Sequence, residues 1–219
     1  MSKSNLYTPE EVKALYGEIV PTYQAAFAGE PWYEVSKCVD QLQRCVGGLS
    51  SVAVGASCEL CGRCPVLPAY EVDELVNGFN NLATSRPTTW YVEQNSQGVT
   101  LAAIAWKAKL TVIADEKYSD VPEMAEWLRG ELGSDEVMWL DEVFANKDLK
   151  PKGNLQNFGK FVTEMADMLG SQTVAYRTIE PRMIAVPTRD FGQAASIFVR
   201  QQDVPDRRDF VAINLGKEG

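Results

Sequence analysis

The stretch Val137-Met-Trp-Leu-Asp-Glu-Val-Phe-Ala-Asn-Lys-Asp-Leu-Lys-Pro-Lys-Gly-Asn-Leu-Gln-Asn-Phe158 decides how this chain folds. Its opening run of bulky and β-branched side chains predicts a strand over 136–145. A loop bearing Lys147, Lys150, Lys152 and Gly153 follows, and apolar helical spacing then predicts a helix over 154–169 closed by Gly170. The first N–H groups of a helix lack intrahelical partners, and the dipole places partial positive charge there. Gly153 lets the main chain approach a ligand and the lysines add a basic rim. The loop is therefore a candidate pyrophosphate cradle, although an ordinary strand–helix connection has the same local pattern. Neither G-x-x-x-x-G-K-[ST] nor G-x-G-x-x-G occurs here, which sets aside a P-loop and a dinucleotide fingerprint.

Upstream, Thr88 to Glu93 and the apolar run Val99 to Ile113 flank the turn-forming Gln94-Asn-Ser-Gln-Gly98 and predict a β-hairpin. A helix is expected over 120–132, with Pro122 in its first turn. Downstream, the pattern predicts a strand over 173–178, a short helix over 181–187 and closing strands over 194–200 and 210–215. At the N-terminus, Thr8-Pro9-Glu10-Glu11 is a capped helix start, and that helix should run to Phe27 and stop at Gly29. A second helix is expected from Pro31 through Trp32 and Cys38 to Gly47-Gly48, then a cysteine-bearing loop over 49–68 and a helix over 70–82. This order predicts a mixed α+β fold. The 219 residues suit a single domain, with 1–87 as a helical N-terminal part and 88–219 as a sheet core.

Several of these residues, taken in order, carry a family likeness. Lys150-Pro-Lys-Gly153-Asn-Leu155 stands between strand and helix, Phe158 takes the first buried helical position, Ala166 a small mid-helix position and Gly170 the end. The pattern resembles the GCN5-related N-acetyltransferase (GNAT) superfamily, whose strand, [Q/R]-x-x-G-x-[G/A] loop and helix it follows. Arg189-Asp-Phe191-Gly192 and the strand 210–215 resemble that family's closing segment, and Ala28-Gly-Glu-Pro-Trp-Tyr-Glu34 its acceptor-side helix. The likeness spans 88–216 and, more loosely, 8–48. Lys150 replaces the usual Gln or Arg, Leu155 the second small residue, and Val186 the tyrosine that often serves as general acid.

The resemblance implies a mainly antiparallel central sheet flanked by helices, with acetyl coenzyme A as co-substrate. It places the pyrophosphate on Lys150, Lys152, Gly153, Asn154, Leu155 and Gln156, and the pantetheine arm beside Val143, Phe144 and Ala145. An amine would attack the thioester directly, its carbonyl polarised by an N–H near Phe144. The chain has no histidine, so the base falls to a carboxylate working through water. Glu142 is the first candidate and Asp141 the second, since neighbouring strand residues face opposite sides and one must face the cleft. A solvated acidic pair at a strand end is the plainer reading of both. Tyr176, Tyr118 and Tyr91 are candidate acids by residue type alone. A non-catalytic, zinc-stapled interaction module is the alternative function.

The absence of histidine also excludes Ser-His-Asp, Cys-His and H-E-x-x-H chemistry and leaves thiolates or carboxylates to hold a metal. Cys58-Glu-Leu-Cys61-Gly-Arg-Cys64 aims three thiols at one point, the usual half of a structural zinc site. Cys38 or Cys45 would supply the fourth ligand. On one helix those two would lie about 10.5 Å apart, so only one can join, and Cys38 is preferred. An iron–sulfur cluster and free thiols are the alternatives. A net charge of −9 argues against nucleic-acid and anionic-membrane partners. Residues 90–146 carry 4 basic against 11 acidic side chains, an expected lure for a cationic amine, whereas 147–219 carry 11 against 9. With no apolar run near 18 residues and a polar start, the expected location is the cytoplasm. The acceptor, whether small molecule or peptide, and the oligomeric state stay open.

Overall fold

Thr8 starts the first helix as its chemistry dictates. Its hydroxyl accepts from the Glu11 N–H at 3.4 Å while the Glu11 carboxylate accepts from the Thr8 N–H at 2.8 Å, a reciprocal cap on the first turn. This cap opens α1 (Pro9–Val12), which passes through a 3-10 turn into α2 (Tyr16–Ala28), ending at Gly29 as expected. In front of it lies β1 (Lys3–Tyr7), a strand the polar N-terminal sequence did not announce. Edge strands are polar on their open side, so their apolar signal is weak.

A computed structural model describes residues 3–29, 32–38, 49–62, 65–117, 121–146, 148–149, 155–178, 180–199 and 208–216. Beyond α2 come β2 (Ser36–Cys38), β3 (Leu49–Ser50) and β4 (Val66–Pro68), which form a small antiparallel sheet in the order β3-β2-β4. This corrects the helix expected from Pro31 onward: Ser36–Cys38 is a strand, led in by Val35 donating to Ser50 (2.8 Å) and Ala69 donating to Val35 (3.1 Å), while residues 39–48 of the expected helix lie outside the described residues. Pairing with segments far along the chain overrode the local helical spacing there. The helix α3 (Val72–Ser85) follows, burying Leu75 and Phe79.

The sheet core begins with the predicted hairpin, β5 (Thr88–Asn95) and β6 (Gly98–Lys109). At its turn the Asn95 side chain accepts from the Gln97 N–H at 2.7 Å, and Gly98 takes φ 124°. The apolar run does not stay extended to Ile113. It turns into α4 (Leu110–Lys117), where Leu110 and Ile113, three apart, fall on one buried helical face. The rest follows the expected order: α5 (Pro122–Leu132), β7 (Glu136–Ala145), α6 (Phe158–Met168), β8 (Thr173–Thr178), α7 (Pro181–Phe191), β9 (Ala195–Phe198) and β10 (Asp209–Asn214).

These strands make one seven-stranded sheet in the order β1-β5-β6-β7-β8-β10-β9. Neighbours are antiparallel except β7 and β8, whose parallel pairing requires the α6 crossover between them. One face packs on α6 and α7 through Leu101, Ala103, Met138, Phe161 and Met165. The other is covered by α2 and α3 through Ile19, Phe79 and Trp90, and by α4 and α5 through Trp106, Met124 and Trp139. A helical layer on both faces explains why β6 is buried over most of its length.

Candidate active site

Strands β7 and β8 pair at Met138↔Val174 and Trp139↔Ala175, and among the described residues they pair nowhere else. From Leu140 onward β7 stays bound to β6 and parts from β8. The gap opens a cavity of about 690 Å³, lined by Leu140 to Ala145 on one side and Tyr176 to Thr178 on the other. Asn146 donates to the Thr100 carbonyl at 3.0 Å, which fixes the phase of the antiparallel ladder. Residues two apart then exchange bonds with β6, while the N–H and C=O of Val143 and Ala145 point into the cavity. Main-chain groups in such a place need a partner.

A register slip sits at the acids. Leu140 pairs with Ala105 but Glu142 with Ile104, leaving Asp141 as an extra residue, a β-bulge. Met138, Leu140, Val143 and Ala145 belong to the α6–α7 face, whereas Trp139 and Phe144 belong to the opposite one. The bulge therefore turns Asp141 and Glu142 to the same side, that of Trp139 and Phe144. The strict alternation expected of them is broken, and both line the cavity.

Their environments differ. Asp141 accepts from the Trp139 indole N–H at 3.0 Å and is paired with the Lys117 ammonium. Glu142 lies towards α2, among Tyr23, Tyr70 and Glu34. Burial pushes its carboxyl up to about 8, with the Asp141 charge adding and Lys117 and Arg208 opposing. Burial first, then the charge of Glu142, also raises the Tyr23 phenol. The Tyr70 hydroxyl donates to Glu34, and its phenol is likewise raised, by burial and that bond.

The other end of the cavity is basic. Arg182 and Arg189 of α7 line it, and Arg189 donates to the Leu155 carbonyl at 3.1 Å just before α6. The Asp190 carboxylate accepts from the Gly159 N–H of α6 at 2.9 Å, and Arg189 beside it holds that carboxyl low. Gly159 is small because Asp190 is close: an added Cβ would meet the Asp190 Cβ at 2.9 Å. Leu155 and Gln156 line the cavity as the loop reading expected, whereas Lys150, Lys152, Gly153 and Asn154 lie outside the described residues.

Of the candidate acids, Tyr176 borders the cavity, but its hydroxyl donates to the Met183 carbonyl at 2.6 Å and anchors α7 to β8. Tyr91 donates to Glu93 at 3.0 Å and stacks on Phe161 in the α6-side core. Neither is placed for proton transfer in the cavity, and Tyr118 lies outside the described residues. Glu34, Tyr70, Lys117 and Arg189 went unread in the sequence as site residues, since no local motif marks them. Glu34 and Arg189 sat in segments already singled out for their family likeness. The cysteines Cys38, Cys58 and Cys61 converge, their Sγ atoms all within 4.8 Å of one another, and Cys45 and Cys64 lie outside the described residues. Cys38 joins them from strand β2, not from a helix.

Solved structures match the fold of this chain over nearly its whole length. A mosquito arylalkylamine N-acetyltransferase like 5b matches with a TM-score of 0.57 and 7% identity, covering 98% of this chain and 100% of that one. The polyamine N-acetyltransferase of Drosophila melanogaster, which catalyses formation of N-acetylagmatine, matches at 0.54 and 10%, covering 97% and 98%. The fold is that of the GCN5-related N-acetyltransferases. The AHL synthase LasI matches the GNAT fold of this chain as well, at 0.53 and 12%, covering 99% and 91%. The fold alone therefore leaves the transferred group and acceptor to the site. No family model and no curated protein matches the chain. Among the described residues, no helix is long and apolar enough to cross a membrane.

Proposed function

We propose that the protein is an acyl-CoA-dependent N-acetyltransferase acting on an amine by direct transfer. The observation that carries this reading is the parting of β7 from β8, which turns the main-chain groups of Val143 and Ala145 into a cavity whose floor holds Glu142. Those groups suit the amide-bearing pantetheine arm as an added strand. The Leu155–Gln156 turn, the start of α6 and Arg189 suit the phosphates beyond it. Coenzyme A supplies the activated acyl carbonyl as its thioester.

The remaining chemistry belongs to the chain. A cleft-facing N–H of Val143 or Ala145, flanking Phe144, polarises the thioester carbonyl. The amine nitrogen attacks that carbon, the C–N bond forms, the C–S bond breaks and the thiolate leaves. Glu142 takes the proton the amine must lose, directly or through a water. Its raised pKa suits it to do so near neutral and mildly alkaline pH. Asp141 positions and biases Glu142 by its charge while staying neutralised by Lys117. The acidic lure is therefore local: Lys117, Arg177 and Arg208 also line the cavity, so attraction of an ammonium group rests on Glu34, joined by Glu142 only where it is ionised, at mildly alkaline pH.

Titration calorimetry with acetyl coenzyme A tests the reading. Saturable binding in the micromolar to low millimolar range is expected, with turnover once amines are supplied. The absence of heat at millimolar ligand would leave a non-catalytic fold in its place.

A further inference from the structure

We propose that Cys38, Cys58 and Cys61 hold a single zinc-class ion, and that this ion fixes the small sheet forming one wall of the cavity. The three Sγ atoms lie within 4.8 Å of one another, and those of Cys38 and Cys61 are 3.8 Å apart. A tetrahedral ion with Zn–S bonds of about 2.3 Å sets its sulfurs about 3.8 Å apart. In an iron–sulfur cubane each thiolate sits on a different iron, which spaces the sulfurs more widely. The set contains no imidazole and no carboxylate, the soft donor choice of a structural site.

The backbone is shaped for the ion. Gly62 takes φ 62° and donates to the Cys58 carbonyl at 2.7 Å, folding Cys58-Glu-Leu-Cys61 into a turn that points both sulfurs inward. The stem of this loop is closed by Gly55 donating to Val66 and Val66 donating to Ala56, both at 2.9 Å, and by the Ser57↔Pro65 bridge. Cys38 is brought to the same place because it pairs directly with Val66.

An independent observation points the same way. Among its described residues the segment from Leu49 to Pro68 has almost no core of its own: Leu49, Val54, Leu60 and Leu67 are exposed, Leu60 to 75%, and of those residues Cys58 and Val66 are the buried apolar ones. A lobe that buries so little apolar surface needs a staple, and metal binding supplies folding free energy directly. The wall this staple would hold includes Glu34 and Tyr70, which flank β2 and β4 four residues along the chain from Cys38 and Val66, and Leu49 of β3. That last clause rests on the transferase reading of the cavity; the metal site itself does not.

The experiment is elemental analysis of the full chain purified without chelator, then of chain reconstituted with Zn²⁺ and desalted, together with the Co²⁺-substituted protein. The expected results are about one zinc per chain, thiolate-to-cobalt charge transfer with the strong visible bands of tetrahedral Co²⁺, and release of that zinc as the thiols are titrated with a mercurial. Cys61→Ser should lose most of the metal. Because loss of the thiolate can also unfold the variant, the wild-type cobalt spectrum decides independently. Retention of no zinc by reconstituted wild type, iron with acid-labile sulfide, or a cobalt spectrum without thiolate charge transfer would each overturn the proposal. If the protein turns over, stripping the ion should raise the acceptor KM severalfold while the acetyl coenzyme A Kd stays within about twofold. An unchanged acceptor KM in metal-free, folded protein overturns the wall assignment alone, and an inactive protein that still binds zinc refutes the transferase reading alone.

Discussion

Glu142→Gln separates a base in the cavity from a mere acidic surface pair, because as the proposed base the same buried carboxyl would set both rate and stability. Its pKa of about 8, against an ordinary 4.5, means that the folded state keeps the proton across a range where the unfolded chain releases it. The folded state therefore binds more protons between those values. Stability must fall as pH rises from about 4.5 to about 8 and level off above, the reverse of a salt-bridged carboxylate. At 1.36 kcal/mol per pH unit the ceiling is about 5 kcal/mol, and contact with cavity water reduces it to about 2–3 kcal/mol. Gln keeps the shape and removes the proton exchange. The variant should match wild type at about pH 5 and exceed it by about 5–10 °C in Tm at about pH 9. Turnover should move the other way. With an apparent pKa near 8, the wild-type rate rises about tenfold between pH 7 and pH 9, and the variant loses that rise along with about 10²–10⁴ in kcat. Calorimetry should find the same acetyl coenzyme A affinity within about twofold. Paired thermal melts and pH–rate profiles read both arms. Wild-type and variant melts that stay parallel from pH 5 to pH 9, or an unaffected kcat, would refute the assignment.

Two other perturbations test other parts of the site and fold. Arg189→Ala removes the cation that neutralises Asp190 beside the α6 N-terminus, so acetyl coenzyme A Kd should rise about fivefold while Tm barely moves. An unchanged Kd would place the phosphates elsewhere. Phe161→Ala empties a fully buried position stacked on Tyr91 at 4.7 Å and edge-on to Phe158 at 5.1 Å, and should cost about 3–5 kcal/mol in urea unfolding. A loss below about 1 kcal/mol would mean that α6 is not packed on this face.

Much of the sheet core was legible because its signals are local and redundant. The strand 136–145 and the strand 173–178 have the bounds their side chains predicted, and Gly170 takes the left-handed conformation expected of a helix-closing glycine, at φ 59°. The hairpin, α5 and the closing strand pair also followed from turn chemistry and apolar rhythm. The failures share a cause. Residues 36–38 read as helix because strand pairing with Ser50 and Pro68 is invisible in a local window. The run after Lys109 was read as continued strand because an unbroken apolar stretch has no period to separate strand from buried helix.

At the site the division is similar. Residue chemistry singled out Glu142, Asp141 and the Cys58–Cys61 turn, and the missing histidines confined the base to a carboxylate and the metal donors to thiols. Tertiary structure decided the rest. The bulge at Asp141 turns both acids to one side, the parting of β7 and β8 makes a cavity of them, and pairing with Val66 carries Cys38 across to its partners. A one-dimensional pattern records what a side chain can do and how its immediate neighbours alternate. Which strand lies beside it, and where that strand lets go, depends on contacts between segments tens of residues apart.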